Sequence, residues 1–265
     1  MKLLKKIENI MLNFLLKLPI LKRLIPSILS IILKVIKKNK GYFKINNFYM
    51  YLDFFDPIDK EIILKKNYEI EEINYFCNII KKNKIRKFID IGANCGYYSF
   101  YISNKFKKIK TFSFEPNIRA YQKLEKTFIK NKNLKNRLSI NNYGLSNKNK
   151  KLKMMSMFKS GRLHTNSTIV KGRKRDKNWV YTQAQFKIGD QVIKLKKEIL
   201  AIKIDVEGHE TEVLKGLKKI INKNKCFIMV EIGDINFKKT NLYLLSNSYR
   251  LIYSCKSRLN YFYKN

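Results

Sequence analysis

From residue 85 onward the chain alternates short apolar runs with segments of helical periodicity. Apolar runs at 85–91, 110–114, 138–143, 200–205 and 226–232 read as strands, and the stretches 98–106, 118–129 and 210–221 place apolar residues at helical spacing. Strands that alternate with helices and are apolar along their whole length are those of a parallel sheet covered on both faces. Upstream, "GYFKINNFYMYLDFFDP" at 41–57 alternates in part around Asn46 and Asn47 and predicts a small accessory hairpin. A single helix is then predicted over 61–82, with Ile70, Ile73, Phe76, Cys77 and Ile80 as its inward stripe.

Two parts of the chain leave this rhythm. Residues 146–197 are polar and basic and too long for a plain loop; "WVYTQAQFKI" within them suggests one or two edge strands. Lying between the third and fourth main strands, this insertion is placed to form the acceptor side of a pocket. Residues 1–38 contain Leu3, Leu4, Ile7, Ile10, Met11, Phe14, Leu15 and Leu18 at helical spacing, interspersed with lysines and followed by Pro19 and Pro26. No small-residue cleavage signal follows, and the apolar run at 24–36 is too short to span a bilayer. This amphipathic segment suits packing on its own domain or a second subunit, or lying on an anionic membrane face. The expected organisation is an N-terminal helical segment at 1–40, an accessory hairpin and helix at 41–84, and a main domain at 85–265 with the insertion inside it.

The length of 265 residues allows one sizeable core, and 45% hydrophobic residues fit a globular chain. The formal charge of +37, from 57 Lys and Arg against 20 Asp and Glu, invites an anionic partner, nucleic acid or membrane. The excess is mostly lysine, spread along the chain beside abundant Asn and Ile, a pattern that AT-rich codon usage also produces. Charge alone therefore selects no partner. Cys77, Cys95, Cys226 and Cys255 form no CxxC pair, and with only His164 and His209 they give no zinc spacing, so no metal is expected and a reducing cytoplasm fits best.

Chemistry concentrates at the ends of the predicted strands. "FIDIGANCGYYSF" runs from a strand through Gly92 and Gly96 into a helix. Asn94 occupies the place of the second glycine of a dinucleotide fingerprint, and no Lys-Ser or Lys-Thr follows to grip phosphate. The turn suits a ligand that needs close backbone approach without a pyrophosphate, with Asp90 holding the loop or meeting an ammonium group. Glu115, in "TFSFEP", ends the next strand 23 residues after Gly92, where a carboxylate accepts both hydrogens of a ribose diol. "NYGLS" at 142–146 then offers Leu145 to an adenine ring. In "IKIDVEGHETEVLKG", strand period puts Lys203 and Asp205 on one face, with Asp205 at the open end. His209 is the natural general base, since an unperturbed imidazole titrates near neutrality. Glu207 either orients it or takes the proton itself, while Glu210 and Glu212 suit a helix start.

Together, "FIDIGANCGYYS", "FSFEPN" and "IKIDVEGHETEVLKG" closely resemble the FkbM-type family of S-adenosylmethionine-dependent methyltransferases. The resemblance implies a class I methyltransferase fold, a Rossmann-like α/β sheet of seven strands with helices on both faces and the last strand antiparallel, for which 249–263 supplies the last two strands. It implies a cofactor site from Asp90, Gly92, Asn94 and Gly96, a ribose acceptor in Glu115, and Asp205, Glu207 and His209 beside the transferable methyl. The implied reaction is O-methylation, typically of sugars or small natural products and often in surface-polysaccharide synthesis. The expected setting is cytoplasmic, with peripheral attachment to the membrane face through 1–38. An RNA ribose 2′-O enzyme, for which Lys203, Asp205 and Glu231 give a faint pattern, and a non-catalytic homologue that binds glycan or membrane are the competing classes.

Overall fold

The computed structural model describes residues 39–159, 162–170, 178–255 and 259–265, together with Leu24. The N-terminal amphipathic segment, residues 171–177 and the side chains of Arg162 and His164 lie outside that description.

The chain opens with a hairpin, β1 (Lys40–Ile45) and β2 (Phe48–Asp53), turned at Asn46 with φ 51°. The outer edge of β2 is not left as bare backbone: Tyr49 N donates to Asn131 Oδ1 (3.0 Å) and Tyr51 N to Thr127 Oγ1 (2.9 Å). Ile45, Phe48, Met50 and Leu52 are buried in the same core cluster as Phe88 and Phe100, so the hairpin packs directly on the main sheet's helices.

The single helix predicted over 61–82 is two helices, α1 (Pro57–Lys65) and α2 (Ile70–Lys82). Lys66 and Glu69 adopt left-handed backbone (φ 55° and 47°), which no helix continues through. The predicted inward stripe holds at Ile73, Phe76, Cys77 and Ile80, whereas Ile70 is 41% exposed because it begins the second helix.

The main sheet is built from β3 (Lys87–Ile91), β4 (Lys110–Phe114), β5 (Leu138–Asn141), β10 (Ile199–Ile204), β11 (Lys225–Glu231), β12 (Arg250–Cys255) and β13 (Asn260–Lys264), in the order β12-β13-β11-β10-β3-β4-β5. All neighbours pair in parallel except at β13, which is antiparallel to both β11 and β12. Alternation along each strand serves two cores. Phe88, Ala201 and Phe227 face the hairpin, α2, α3 (Tyr97–Lys105) and α4 (Ile118–Lys130). Ile89, Ile202 and Ile228 face α6 (Glu210–Gly216), α7 (Lys218–Lys223) and α8 (Asp234–Ser246). The predicted helix 210–221 is thus divided at Leu217, and α8 is an element the periodicity did not announce. All four cysteines are buried.

The insertion holds a second sheet rather than one or two edge strands. β6 (Gly144–Ser146), β7 (Lys150–Lys159), β8 (Arg162–Ile169) and β9 (Trp179–Ile188) form a four-stranded sheet in the order β6-β9-β7-β8, followed by the short α5 (Gly189–Val192). Asp56, at the N-cap of α1, ties it down: its carboxylate accepts from Thr165 N (3.2 Å), Thr165 Oγ1 and Lys123 Nζ (3.2 Å). Burial works to raise the Asp56 pKa, but Lys123 and Thr165 outweigh it and hold the group below its ordinary value. Asp56→Ala is therefore expected to cost about 2–4 kcal/mol in denaturant unfolding, through a lost cap and a buried partner taken from Lys123.

Candidate active site

The glycine turn leaves β3 at its carboxyl end with Gly92 at φ 80°, Asn94 at φ 50° and Gly96 at φ 89°. A Cβ on Gly92 would stand 1.7 Å from the backbone oxygen of Asp205, so this glycine is required by the closeness of two strand ends. Gly92 N and Ala93 N both donate to Phe114 O, and Asp205 N donates to Ile91 O, which binds the ends of β3, β4 and β10 together. Gly96 is enclosed by Leu124 and Phe100. Asp90 is fully buried and accepts from Ser99 Oγ, which also meets Ser113 Oγ at 2.6 Å. Asp90 and Gly96 thus shape the turn from beneath and do not line the cavity, which leaves Asp90 in the loop-holding role rather than at an ammonium.

Glu115 bridges this turn to the next. One carboxylate oxygen accepts from Asn94 N (2.8 Å) and the other from Asn117 N (2.7 Å). Burial lifts its pKa to about 7 against the pull of those two amides. Each oxygen has one lone pair engaged by backbone and another free for a diol.

On β10, Lys203 Nζ lies 2.8 Å from Asp205 Oδ2, as the strand period predicts, and 4.9 Å from the centroid of the Tyr98 ring. Lys203 is buried, and the attraction of Asp205, Asp90 and Glu69 overcomes desolvation and raises its pKa. Glu207 takes left-handed backbone (φ 49°), and its carbonyl accepts from Thr168 Oγ1 of the inserted sheet at 2.6 Å. Its carboxyl is pushed to about 7 by desolvation and by Asp205 and Glu210. Because the residue is exposed at the cavity mouth, water screens part of that effect. His209, the N-cap residue of α6, is buried with Nε2 2.9 Å from Ser146 Oγ and Nδ1 3.8 Å from Glu212 Oε2. Glu210 and Glu212 stand in the first turn of α6, where Glu210 accepts from Gly208 N and Glu212 pairs with Lys239 of α8.

These groups surround one cavity, partly open to solvent, at the carboxyl edge of the main sheet. Of the residues expected there, Gly92, Asn94, Glu115, Leu145, Asp205, Glu207 and His209 line it. The inserted sheet supplies Met154, Thr165, Ser167, Ile169 and Phe186, which gives the insertion its place in the wall. Sequence reasoning did not name Tyr68 and raised Glu231 only in the pattern of the competing RNA reading; both are in the lining. Glu231 carries a pKa raised to about 9, first by desolvation and then by Asp205, Glu69 and Glu207, with Lys203 opposing. A carboxyl raised on folding binds more protons in the native state, so its contribution to stability is present at low pH and lost as pH rises toward 9. Glu231→Gln is accordingly expected to raise the melting temperature at pH 8.5 by roughly 2–5 °C, a gain that vanishes below about pH 4.5.

Among the described residues, no group of three or more His, Cys, Asp or Glu is placed to hold a metal ion, and no helix is long and apolar enough to cross a membrane.

A seven-stranded sheet with a single antiparallel strand next to the edge, opening on a cavity above Gly92, Glu115 and Asp205, is the class I, Rossmann-like methyltransferase fold. The methyltransferase FkbM domain matches residues 90–251, more than half of the chain, and the protein belongs to that family. Similar solved structures include the methyltransferase FkbM from Methylobacillus flagellatus KT, at 18% identity and TM-score 0.49, covering 68% of this chain and 44% of that one. The chain thus spans less than half the length of that protein. A precorrin-6y C5,15-methyltransferase from Geobacter metallireducens GS-15 (12% identity, TM-score 0.41) covers 72% of this chain and 84% of its own. A putative caffeoyl-CoA O-methyltransferase from Staphylococcus aureus (9% identity, TM-score 0.45) covers 75% and 84%. At these values the likenesses add nothing to the assignment, which rests on the family match and the sheet order. No curated protein matches the chain.

Proposed function

We propose that the chain is an S-adenosylmethionine-dependent O-methyltransferase that acts on a hydroxyl of a sugar or glycan, in a surface polysaccharide or a lipid-linked precursor. The observation that carries the cofactor reading is Glu115: two backbone amides fix its carboxylate at a strand end, facing the same cavity as Gly92 and Asp205. That group fits a ribose diol, Gly92 permits close passage of the ligand's amino acid end, Leu145 borders the base, and the acidic side of the cavity favours a cationic sulfonium.

When bound, S-adenosylmethionine supplies an electrophilic methyl group. The chain's own residues hold the reacting oxygen in line and take its proton. Asp205, fixed by Lys203, orients the methionine end or the acceptor. Glu207 is exposed at the mouth and is the better proton acceptor, since His209 is engaged with Ser146. RNA ribose methylation is the alternative that the +37 charge favours, and a non-catalytic glycan- or membrane-binding homologue is the third.

Incubation with methyl-labelled S-adenosylmethionine and separate lipid-linked glycan, polysaccharide and RNA fractions decides among them. Label in glycan is expected; label confined to RNA contradicts the glycan acceptor. Cytoplasmic location with peripheral attachment is part of the same proposal, and deletion of residues 1–38 is expected to release the protein from anionic vesicles.

A further inference from the structure

The β1–β2 hairpin buries one face and turns the other outward. Alternation sends Ile45, Phe48, Met50 and Leu52 into the core, so the outward face is made of Lys40, Tyr42, Lys44, Tyr49, Tyr51 and Asp53. The register sets them in cross-strand pairs, Lys40↔Asp53, Tyr42↔Tyr51 and Lys44↔Tyr49. Tyr42 and Tyr49 are 46% and 40% exposed, so they spend their rings on the surface rather than on the core.

Helix α4 runs along the outer edge of β2, joined to it through Thr127 and Asn131, and adds Lys126 and Lys130 to this face. Lys126 Nζ stands 4.3 Å from the centroid of the Tyr51 ring, and Lys130 Nζ stands 5.3 Å and 5.5 Å from those of Tyr42 and Tyr49. Lys40 is answered by Asp53 at 3.5 Å, whereas Lys44, Lys126 and Lys130 form no ion pair among the described residues. The rings therefore hold two ammonium groups in place without neutralising them. Fixed cations beside exposed phenols match an anionic lipid headgroup layer, where ammonium meets phosphate and a tyrosine ring keeps its body in the apolar boundary and its hydroxyl in water. Single-stranded RNA fits less well, because bases need open ring faces and lysines already lie over all three rings.

The chain enters this face at Asn39, directly after residues 1–38, whose sequence is basic and amphipathic. Stable attachment to a bilayer takes two linked signals, since either alone binds marginally. We propose that the outward face of the hairpin, together with Lys126 and Lys130, docks on anionic lipid headgroups as the second contact beside segment 1–38. The inference rests on the peripheral attachment proposed above. Helix α4 links the docked face to the cavity: its N-cap Asn117 donates to Glu115, and Lys126 lies about 13 Å further along the helix. Docking thus fixes how far the cavity stands from the lipid, as an acceptor carried on a lipid requires.

The test uses the full-length protein and sedimentation with mixed phosphatidylglycerol and phosphatidylcholine vesicles. A lysine close to an anionic leaflet multiplies partition roughly fivefold, so Lys126→Gln/Lys130→Gln is expected to lower binding about 30-fold. Tyr42→Ser/Tyr49→Ser is expected to lower it about tenfold, a loss that persists in salt that screens charge. Lys218→Gln/Lys219→Gln removes the same charge from α7, on the other face of the main sheet, and is expected to change binding less than about threefold. Equal losses in the two lysine pairs reduce the binding to net charge and overturn the docking face, as does unchanged binding in Lys126→Gln/Lys130→Gln. Single-stranded RNA bound more tightly than the vesicles through the same lysines overturns it in favour of a nucleic-acid surface. If the unmodified protein ignores the vesicles, the peripheral attachment falls together with the face. Methyl transfer is read separately, by titration with S-adenosylmethionine, which is expected to be the same in all three variants because none of the substituted residues lines the cavity.

Discussion

Glu115→Ala is expected to lower the affinity for S-adenosylmethionine by about 100-fold or more while leaving the protein folded. The carboxylate offers a charge-assisted hydrogen bond to each ribose hydroxyl, and hydrogen bonds to charged groups contribute ~1.5–3 kcal/mol apiece. Losing two of them removes about 3 kcal/mol, or two orders of magnitude in Kd. The alanine also frees the amides of Asn94 and Asn117, both now bound to Glu115, and so loosens the turn beneath the proposed adenosyl site. Glu115→Gln tests the same point more gently, because its amide nitrogen cannot accept from one of those two backbone donors. Calorimetric titration of circular-dichroism-verified variants reads the effect. A change below about fivefold would remove the ribose from this position.

Gly92→Ala is expected to do more damage than any other alanine substitution at a glycine of the site. Alanine in left-handed backbone costs about 1–2 kcal/mol by itself. Here the added Cβ would also lie 1.7 Å from Asp205 O, a backbone atom that cannot rotate away. The ends of β3 and β10 must separate, and Asp205 N loses its bond to Ile91 O as they do. A stability loss of about 3 kcal/mol or more and undetectable cofactor binding are expected. Gly41→Ala and Gly233→Ala are the controls, since a Cβ at either position meets nothing within 4 Å. Denaturant unfolding of the three variants side by side separates a local collision from a general cost of replacing glycine.

The legible parts of the fold are those where burial leaves a mark on every residue. Strands such as Lys87–Ile91 and Lys225–Glu231 are covered on both faces, so they stand out as uninterrupted apolar runs, and their positions are recovered to within two residues. The break between α1 and α2 had no such mark, because Lys66 and Glu69 take left-handed backbone without the glycine or proline that announces it. The inserted sheet was hidden for a related reason: β7 and β9 bury only a few residues, such as Met154, Met155, Ala184 and Phe186, in a chain segment dense with lysine. Helix α8 buries only Thr240 and Leu244, too few to draw a stripe.

The candidate site divides along the same line. Residues that act within one contiguous motif, Gly92, Asn94, Glu115, Asp205 and Glu207, were placed from the sequence because each turn follows its own strand. Glu231 and Tyr68 enter the cavity only through the assembly of distant elements. Knowing that β10 and β11 are parallel neighbours in the register Ile204↔Val230 would have put Glu231 beside Asp205. No local signal points to Tyr68, which lies in the break between two helices that read as one. His209 lines the cavity, and its ring also joins β6 to the start of α6 through Ser146.

The central claim is that the cavity bounded by Gly92, Glu115 and Asp205 holds the adenosyl group of the methyl donor. Isothermal titration of the unmodified protein with S-adenosylmethionine tests it most directly, with Glu115→Ala titrated alongside. The account predicts one binding event per chain with a micromolar-range Kd, roughly −8 kcal/mol, lost in the variant. No heat of binding at millimolar ligand, or equal binding by both proteins, would contradict it.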